Sequence, residues 1–289
     1  MASEAQNTSV KNWLKQNQTL ARFELEITLC RVLRCSRAKI LSEPERQLSS
    51  KDLDELGAWV RQLHDDVPLA YLCGEQEFWG LSLQVDNRVL VPRPDTETLV
   101  EQALLRIIEM KSLPRKKPVN VLDLGTGSGA IALALANELP DDEIHASDIS
   151  QDSLAVARNN SRALSLPITF HHSDWFETIS QRYDVITANP PYIAANDPHL
   201  VHLTAEPIGA LVAHNNGMAA LTDICETATS YLHDDGWLLL EHGFDQGRQV
   251  RDLLQENGYK AVGSCRDLGE NERVTFGQKF MGTAECPDE

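Results

Sequence analysis

The sequence predicts an α/β protein in which a largely parallel sheet, flanked by helices, follows a small all-helical N-terminal domain. Three observations carry that expectation. From Asn120 to Gly277, strand-like and helix-like segments alternate, the pattern of a parallel sheet with crossover helices. Before Gly57 there is no glycine, and apolar residues recur at helical intervals. Between the two regions the texture changes to period-two alternation with a turn signal, as in a β-hairpin. The 289 residues suit two domains at roughly 150 residues each. The boundaries read as 1–71 for the helical domain, 72–93 for a hairpin linker, 94–282 for the α/β domain and 283–289 for a tail.

Taken in order, residues from about Thr19 to Gln62 read as helices, with Leu20, Phe23, Ile27 and Val32 close to one stripe. Ser49 or Ser50 is placed to cap a helix carrying Leu53, Leu56 and Val60. Phe78 to Val85 alternates, Asp86-Asn87 offers a turn, and Val89-Leu-Val91 follows as the second arm of the hairpin. Pro94 opens a helix whose first turn holds Asp95 and Glu97, at the positive end of the helix dipole.

The α/β domain then reads as strand Asn120 to Leu124, helix Ala130 to Leu139, strand Glu143 to Ser147 and helix Gln151 to Leu164. Strands Ile168 to Phe170 and Tyr183 to Ala188 follow, then a helix near Met218 to Leu232 and strand Trp237 to Glu241. A helix near Asp245 to Asn257 precedes the closely spaced strands Tyr259 to Val262 and Glu272 to Gly277, so one sheet edge is expected to be antiparallel.

Composition excludes several function classes. Lys and Arg number 26 against 43 Asp and Glu, a formal net charge of −17. Such a balance opposes backbone-driven nucleic-acid binding and polybasic attachment to membranes. The polar N-terminus has no apolar core of a secretion signal, and the apolar run Ala130 to Ala136 is far too short to cross a bilayer. Cys30, Cys35, Cys73, Cys225, Cys265 and Cys286 are scattered without a CxxC pair, which favours free thiols in a reducing cytoplasm over disulfides or zinc. His199 and His202 lack further clustered ligands, and His171-His172 reads as strand surface, so no metal is expected.

Four motifs fall where open α/β sheets bind ligands, at the carboxyl ends of strands. The first is Asp123-Leu-Gly-Thr-Gly-Ser-Gly129, whose Gly125, Gly127 and Gly129 allow close backbone approach to a ligand beside a helix N-terminus. A tight turn alone would also use these glycines, and Gly125, Gly127 and Ala130 equally satisfy a dinucleotide fingerprint. The second is Asp148, able to accept both hydroxyls of a ribose or to cap the next helix. The third is Ser173-Asp-Trp-Phe176, where an aromatic beside an acid can flank a purine. The fourth is Asn189-Pro-Pro-Tyr192. Tandem prolines remove two donors, leaving the Asn189 side-chain oxygen and the Pro190 carbonyl as acceptors for a planar –NH2 group, with the Tyr192 ring alongside.

Together these motifs resemble the class I S-adenosylmethionine-dependent methyltransferases, with their Rossmann-like sheet. More narrowly, the chain is similar to the bacterial release-factor glutamine-N5 methyltransferases of the HemK/PrmC family. Glu75-Gln-Glu-Phe-Trp-Gly80, Leu90-Val-Pro-Arg-Pro-Asp-Thr-Glu97, Leu238-Leu-Leu-Glu-His-Gly243 and Asn271-Glu-Arg-Val274 match stretches typical of that family, so the likeness extends from about Pro68 to Gly277. Ser128 stands where many relatives carry Thr. The resemblance implies that the cofactor is S-adenosyl-L-methionine, with S-adenosyl-L-homocysteine as product. Gly125, Thr126, Gly127, Ser128 and Gly129 would wrap its methionine part and Asp123 would reach the ammonium group through water. Asp148 would hold the ribose and Trp175 would border the adenine. Asn189, Pro190, Pro191 and Tyr192 would hold the target amide, with Asn189 also facing the cofactor and Arg93-Pro94 closing the site. The implied substrate is the glutamine of the GGQ motif in peptide-chain release factors, recognised by the helical domain and hairpin.

The residues by themselves leave other functions open. An exocyclic base nitrogen in DNA or RNA presents the same –NH2 group, although such an enzyme calls for a basic groove that a −17 chain does not suggest. An NAD-dependent dehydrogenase would use the glycines and Asp148 but gives no account of Asn189-Pro-Pro-Tyr192. A nucleotide-binding adaptor without catalysis would use its helical domain to bind proteins.

Overall fold

The computed structural model describes residues 8–112 and 118–280. The expected tail 283–289, with Cys286, lies outside the described residues. The chain divides into two compact units: residues to Gly74 with His202–Ala205, and Glu75–Val201 with residues from Glu206 on.

The first unit is helical throughout: α1 (Val10–Gln16), α2 (Arg22–Val32), α3 (Arg37–Ser42), α4 (Ser50–His64) and α5 (Leu69–Cys73). Its core joins Val10, Trp13 and Leu14 of α1 to Leu25, Leu29 and Val32 of α2, Ile40 of α3, Leu48, and Leu56 of α4. Helix α1 thus precedes the expected start at Thr19. The buried stripe of α2 also differs from expectation, because Phe23 is 58% exposed. Leu25, Leu29 and Val32 follow the i, i+4, i+7 spacing of one helix face, and Phe23 instead lies beneath the Arg37 guanidinium, 5.7 Å from its ring centre. Ser49 caps α4 as expected, its hydroxyl accepting from the Asp52 N–H while Asp52 reciprocates on the Ser49 N–H.

The second unit begins with the hairpin β1 (Glu75–Phe78) and β2 (Leu81–Gln84). Its turn falls at Trp79-Gly80; the chain also turns at Asp86-Asn87, where the Val89 N–H donates to the Asp86 carbonyl at 3.1 Å, but that turn joins no paired strands. Trp79 and Gly80 both have positive φ, 52° and 71°, the requirement of a tight two-residue connection matched to strand twist. Asp86 folds back on Arg88 through a paired side-chain contact, and Val89–Val91 forms no strand. Phe78 and Leu83 of the hairpin enter the main core of this unit.

After a 3-10 turn at Pro94–Thr96 come α6 (Glu97–Lys111), β3 (Asn120–Leu124), α7 (Ala130–Glu138), β4 (Glu143–Asp148), α8 (Gln151–Leu164), β5 (Thr169–His172) and β6 (Tyr183–Ala188). An excursion follows, with β7 (Ile193–Ala194), α9 (Ile208–Leu211) and β8 (Val212–Ala213), before α10 (Ala219–Thr227), β9 (Leu232–Glu241), α11 (Gly247–Glu256), β10 (Tyr259–Arg266) and β11 (Glu272–Lys279). Seven strands form one sheet in the order β10-β11-β9-β6-β3-β4-β5. The β9-β6-β3-β4-β5 stretch is parallel and β11 and β10 close one edge antiparallel, as expected. Strands β3 and β6 are buried nearly end to end, which is why they read as continuous apolar runs. Strand β9 starts five residues earlier than its apolar run, because His233, Asp234 and Asp235 are exposed and carry no apolar signal.

Buried Asn160 on α8 ties three elements together. Its Oδ1 accepts from the Gln84 N–H at 2.7 Å, and its Nδ2 donates to the carbonyls of Gln84 at 3.0 Å and Ser128 at 2.9 Å. The hairpin edge and the glycine loop therefore share one side chain. Asn160→Ala strands those backbone groups and is expected to cost about 2–4 kcal/mol, read by urea denaturation; a loss below about 0.5 kcal/mol refutes the role.

Candidate active site

Because β6, β3, β4 and β5 are neighbours and parallel, the loops at their carboxyl ends emerge side by side. These loops carry the four motifs. They wall a cavity of about 360 Å³ lined by Gly125, Gly127, Asp148, Trp175 and Asn189-Pro190-Pro191, a volume within the range of small-molecule sites. Arg88–Leu90 and the residues Pro207, Gly209 and Ala210 also line it. Asp123, Thr126, Ser128, Gly129 and Tyr192 are not in the lining and stand behind it.

The loop after β3 is shaped by its glycines. Gly125, Gly127 and Gly129 all adopt left-handed φ angles, 66°, 57° and 86°, which side chains disfavour. A Cβ on Gly125 would sit 3.5 Å from the Trp175 ring, while one on Gly127 would meet nothing within 4 Å. The Thr126 N–H donates to the Ser147 carbonyl at 2.9 Å, tying the loop to β4. Beneath the loop, fully buried Asp123 has both oxygens engaged: the Thr126 hydroxyl donates to Oδ2 at 2.7 Å and the Thr187 hydroxyl donates to Oδ1 at 3.1 Å. Burial pushes this carboxyl up to about 7, against the opposing pull of the two hydroxyls.

Asp148 ends β4 and lines the cavity. Its Oδ2 accepts from the Gly127 N–H at 2.9 Å and its Oδ1 from the Ser150 N–H at 2.8 Å. The helix cap on α8 is made by the Ser150 hydroxyl, which accepts from Ser153. Burial raises the Asp148 carboxyl above its ordinary value and the two backbone N–H groups counter it. Trp175 holds a positive φ of 41°, a strained conformation of the kind that collects at ligand sites.

Asn189 follows β6 directly. Its Nδ2 donates to the Thr96 hydroxyl at 3.3 Å. Half-buried Tyr192 points its hydroxyl to Glu241 Oε1 at 3.4 Å. Burial pushes the Glu241 carboxyl up to about 7, opposed by Thr96, Arg273 and Tyr192. The Tyr192 carbonyl accepts from Gln246 Nε2 at 3.1 Å and passes so near Gly217 that a Cβ there would lie 2.0 Å from it. Gly217 also has φ 84°, so this crossing admits no side chain.

Thr96, Glu241 and Glu206 carry no role in the sequence reading, although Thr96 and Glu241 lie inside stretches quoted above. Buried Glu206 accepts from the Val91 N–H at 3.0 Å and pairs with Arg93, fastening the segment beside the cavity. The available signal was a lone acid ending the apolar run of β9. Among the described residues no group of three or more His, Cys, Asp or Glu side chains is arranged to hold a metal, and no helix is long and apolar enough to cross a membrane. His171 stacks on His145 with ring centres 5.2 Å apart, at the strand surface.

Asp123 generates a pH prediction. Its folded value lies above the 3.8 of an unperturbed aspartate, so its stabilising contribution is complete below pH 4 and is lost as pH rises through 7. Asp123→Asn does not ionise. Between pH 4 and pH 8 the stability of the natural protein should therefore fall relative to the variant by on the order of 4 kcal/mol. Urea denaturation across that range checks it; a difference independent of pH refutes it.

Residues 102–206 match the methyltransferase small domain and residues 8–74 match the PrmC N-terminal domain. The release factor glutamine methyltransferase of Escherichia coli is 43% identical over 281 residues, covering 94% of this chain and 99% of that one. Its namesake in Yersinia pestis is 45% identical, with 88% and 91% covered. Among solved structures, a methyltransferase from Pyrococcus furiosus aligns with a TM-score of 0.51 at 17% identity, covering 78% of this chain and all but 1% of its own, since 99% of it is spanned. A 16S rRNA methyltransferase (RsmC) of T. thermophilus aligns with a TM-score of 0.53 at 20% identity, covering 71% and 49%. These structures share the fold over most of the chain, and the curated relatives extend over nearly the whole sequence: the chain belongs to the release factor glutamine methyltransferase family.

Proposed function

We propose that this chain transfers the methyl group of S-adenosylmethionine to the side-chain amide nitrogen (N5) of the glutamine in the GGQ motif of peptide-chain release factors. The observation that carries this reading is that Asn189, Pro190 and Pro191, the two prolines without an N–H, line the same cavity as Asp148 and Trp175. Nucleobase and nicotinamide chemistry are not favoured by the family to which the chain belongs.

The residues present suit the cofactor. Asp148 keeps acceptor capacity on both oxygens for a ribose diol. The open side of Gly127 admits a ligand against bare backbone, and the Trp175 ring supplies a flat apolar wall. Asp123 would act by bracing the loop through Thr126, since it is fully buried and lies outside the cavity lining. Thr126, Ser128 and Gly129 would fix the loop's path.

When bound, the cofactor supplies an electrophilic sulfonium methyl. The protein's task is to make an amide nitrogen attack it. That nitrogen is a weak nucleophile, because its lone pair is delocalised into the carbonyl, and it is not deprotonated near neutral pH. The Asn189 side-chain oxygen and the Pro190 carbonyl would accept its two N–H hydrogens, favouring positive charge developing on nitrogen. The same contacts aim the lone pair. Alignment of this kind supplies about 7–11 kcal/mol in well-oriented systems. Pro190 and Pro191 contribute by having no N–H to compete. Tyr192, tethered to Glu241, would border the amide plane. The proton would leave late, to water.

The helical first unit would recognise the release factor, and the reaction would take place in the cytoplasm. Two substitutions test the assignment in methyl transfer from labelled S-adenosylmethionine to purified release factor. Asn189→Ala should lower kcat by about 10²–10³-fold while leaving cofactor affinity within a few-fold. Asp148→Ala should weaken cofactor binding by about tenfold or more, read by calorimetry. No label on the factor with the natural protein, or full activity of Asn189→Ala, overturns the reading.

A further inference from the structure

Two segments of the cavity lining do not issue from the strand ends that carry the motifs: Arg88–Leu90 before α6, and Pro207, Gly209 and Ala210 at α9. One side chain joins them. Glu206, directly before Pro207, is 5% exposed. Its Oε2 accepts at 3.0 Å from the N–H of Val91, the residue after Leu90, and its Oε1 pairs with the Arg93 guanidinium.

The two segments are held differently. Arg88–Leu90 is anchored without Glu206. The Arg88 carbonyl accepts from the Ser153 hydroxyl of α8 at 3.1 Å, the Val89 N–H donates to the Asp86 carbonyl, and the Val89 side chain is buried. Pro207–Ala210 has no such footing. Of the α9 residues only Leu211 is buried. Ile208 is 65% exposed, and a Cβ on Gly209 would meet nothing within 4 Å. Beyond α9 the chain is carried by β8, two residues paired with the two residues of β7 outside the main sheet. The motif walls, by contrast, are bonded to the seven-stranded sheet: the Thr126 N–H donates to Ser147 and the Ser173 N–H to Asp148. Segments with few buried apolar contacts are the ones that open locally, so Pro207–Ala210 is the wall able to leave.

Glu206 suits a latch better than a strut. A carboxylate taken almost wholly out of water gains little net stability from an ion pair. The Arg93 side chain is 41% exposed, where salt weakens its attraction. What the pair supplies is a bond that can break and re-form, at the start of a loosely packed stretch that lines the cavity.

We propose that residues 207–210 form a strap over the cofactor cavity, latched by Glu206 onto Val91 and Arg93, and that unlatching governs how fast cofactor and product exchange. This rests on the methyl-transfer reading of the same site. Glu206 does not line the cavity; it is a positioning residue that acts through the strap.

The test uses the full chain with Glu206→Ala, which removes both contacts, and Glu206→Gln, which keeps an acceptor for Val91 and loses the charge facing Arg93. Release of labelled S-adenosylhomocysteine into excess unlabelled compound is followed well below the melting temperature of every variant. It should be about tenfold or more faster from Glu206→Ala, the effect of losing a hydrogen-bonded charge from the closed state. Glu206→Gln should lie between the two. Added salt should speed release from the natural protein more than from Glu206→Gln, a difference that a purely structural role does not produce. Hydrogen exchange of the ligand-free chain needs no cofactor: the amides of 208–211 should exchange faster in Glu206→Ala, while those of β3 and β6 stay unchanged. Equal release from all three proteins, release that merely tracks melting temperature, or unchanged exchange at 208–211 overturns the proposal. If the natural protein binds no S-adenosylhomocysteine, the methyl-transfer reading fails and the gating of exchange falls with it; the exchange rates at 208–211 then decide the latch alone.

Discussion

The site is organised by the hydrogen bonding of one buried carboxylate. Asp123 lies near the end of the interior strand β3 and takes the Thr126 hydroxyl on one oxygen and the Thr187 hydroxyl on the other. The first bond ties down the glycine loop. The second ties β3 to β6 two residues before Asn189. An apolar side chain would fill the space with less desolvation, but it could not fix the loop and the neighbouring strand end in one geometry. The price of that connection is a carboxyl held far from its ordinary ionisation.

Around this anchor, the two halves of the cavity present different chemistry. On the β3–β4 side, backbone N–H groups and the Asp148 carboxylate face each other across a loop with left-handed glycines. On the β6 side, the wall of Asn189, Pro190 and Pro191 offers acceptors. Order in that second wall comes from residues further out: Thr96 from the start of α6, Glu241 from β9, Gln246 before α11 and the bare backbone of Gly217. Asn160 performs the corresponding service for the glycine loop and ties it to the hairpin. Precise placement of a weak nucleophile requires such support, because contacts made only by exposed loop residues do not hold a reacting atom to within a fraction of an ångström.

How much of this was legible in the sequence depends on the range of the interaction concerned. Strands Asn120–Leu124 and Tyr183–Ala188 and helix Gln151–Leu164 were readable to the residue, because burial on both faces or on one stripe writes itself into adjacent positions. The hairpin was readable as a hairpin but not its turn. Asp86-Asn87 is the commoner turn signal, whereas Trp79 takes a positive φ that its residue type disfavours. Helix α1 and the true core face of α2 were missed for a related reason: Phe23 is as apolar as Leu25, and only packing against Trp13 and Leu14 decides which of them is buried.

The sequence by itself determined the α/β class, the position of each ligand-facing motif at a strand end, and the acceptor character of Asn189-Pro-Pro-Tyr192, because each is a property of a few consecutive residues. Tertiary structure decided which residues face the cavity and which support it. Asp123 and Tyr192 moved behind the wall, and Arg88–Leu90 with Pro207, Gly209 and Ala210 joined its lining. Thr96, Glu241 and Asn189 lie 145 positions apart at their extremes and meet only through the register of β6 on β9 and the turn into α6. Strand order and register are set by long-range pairing, which no local pattern of side chains encodes.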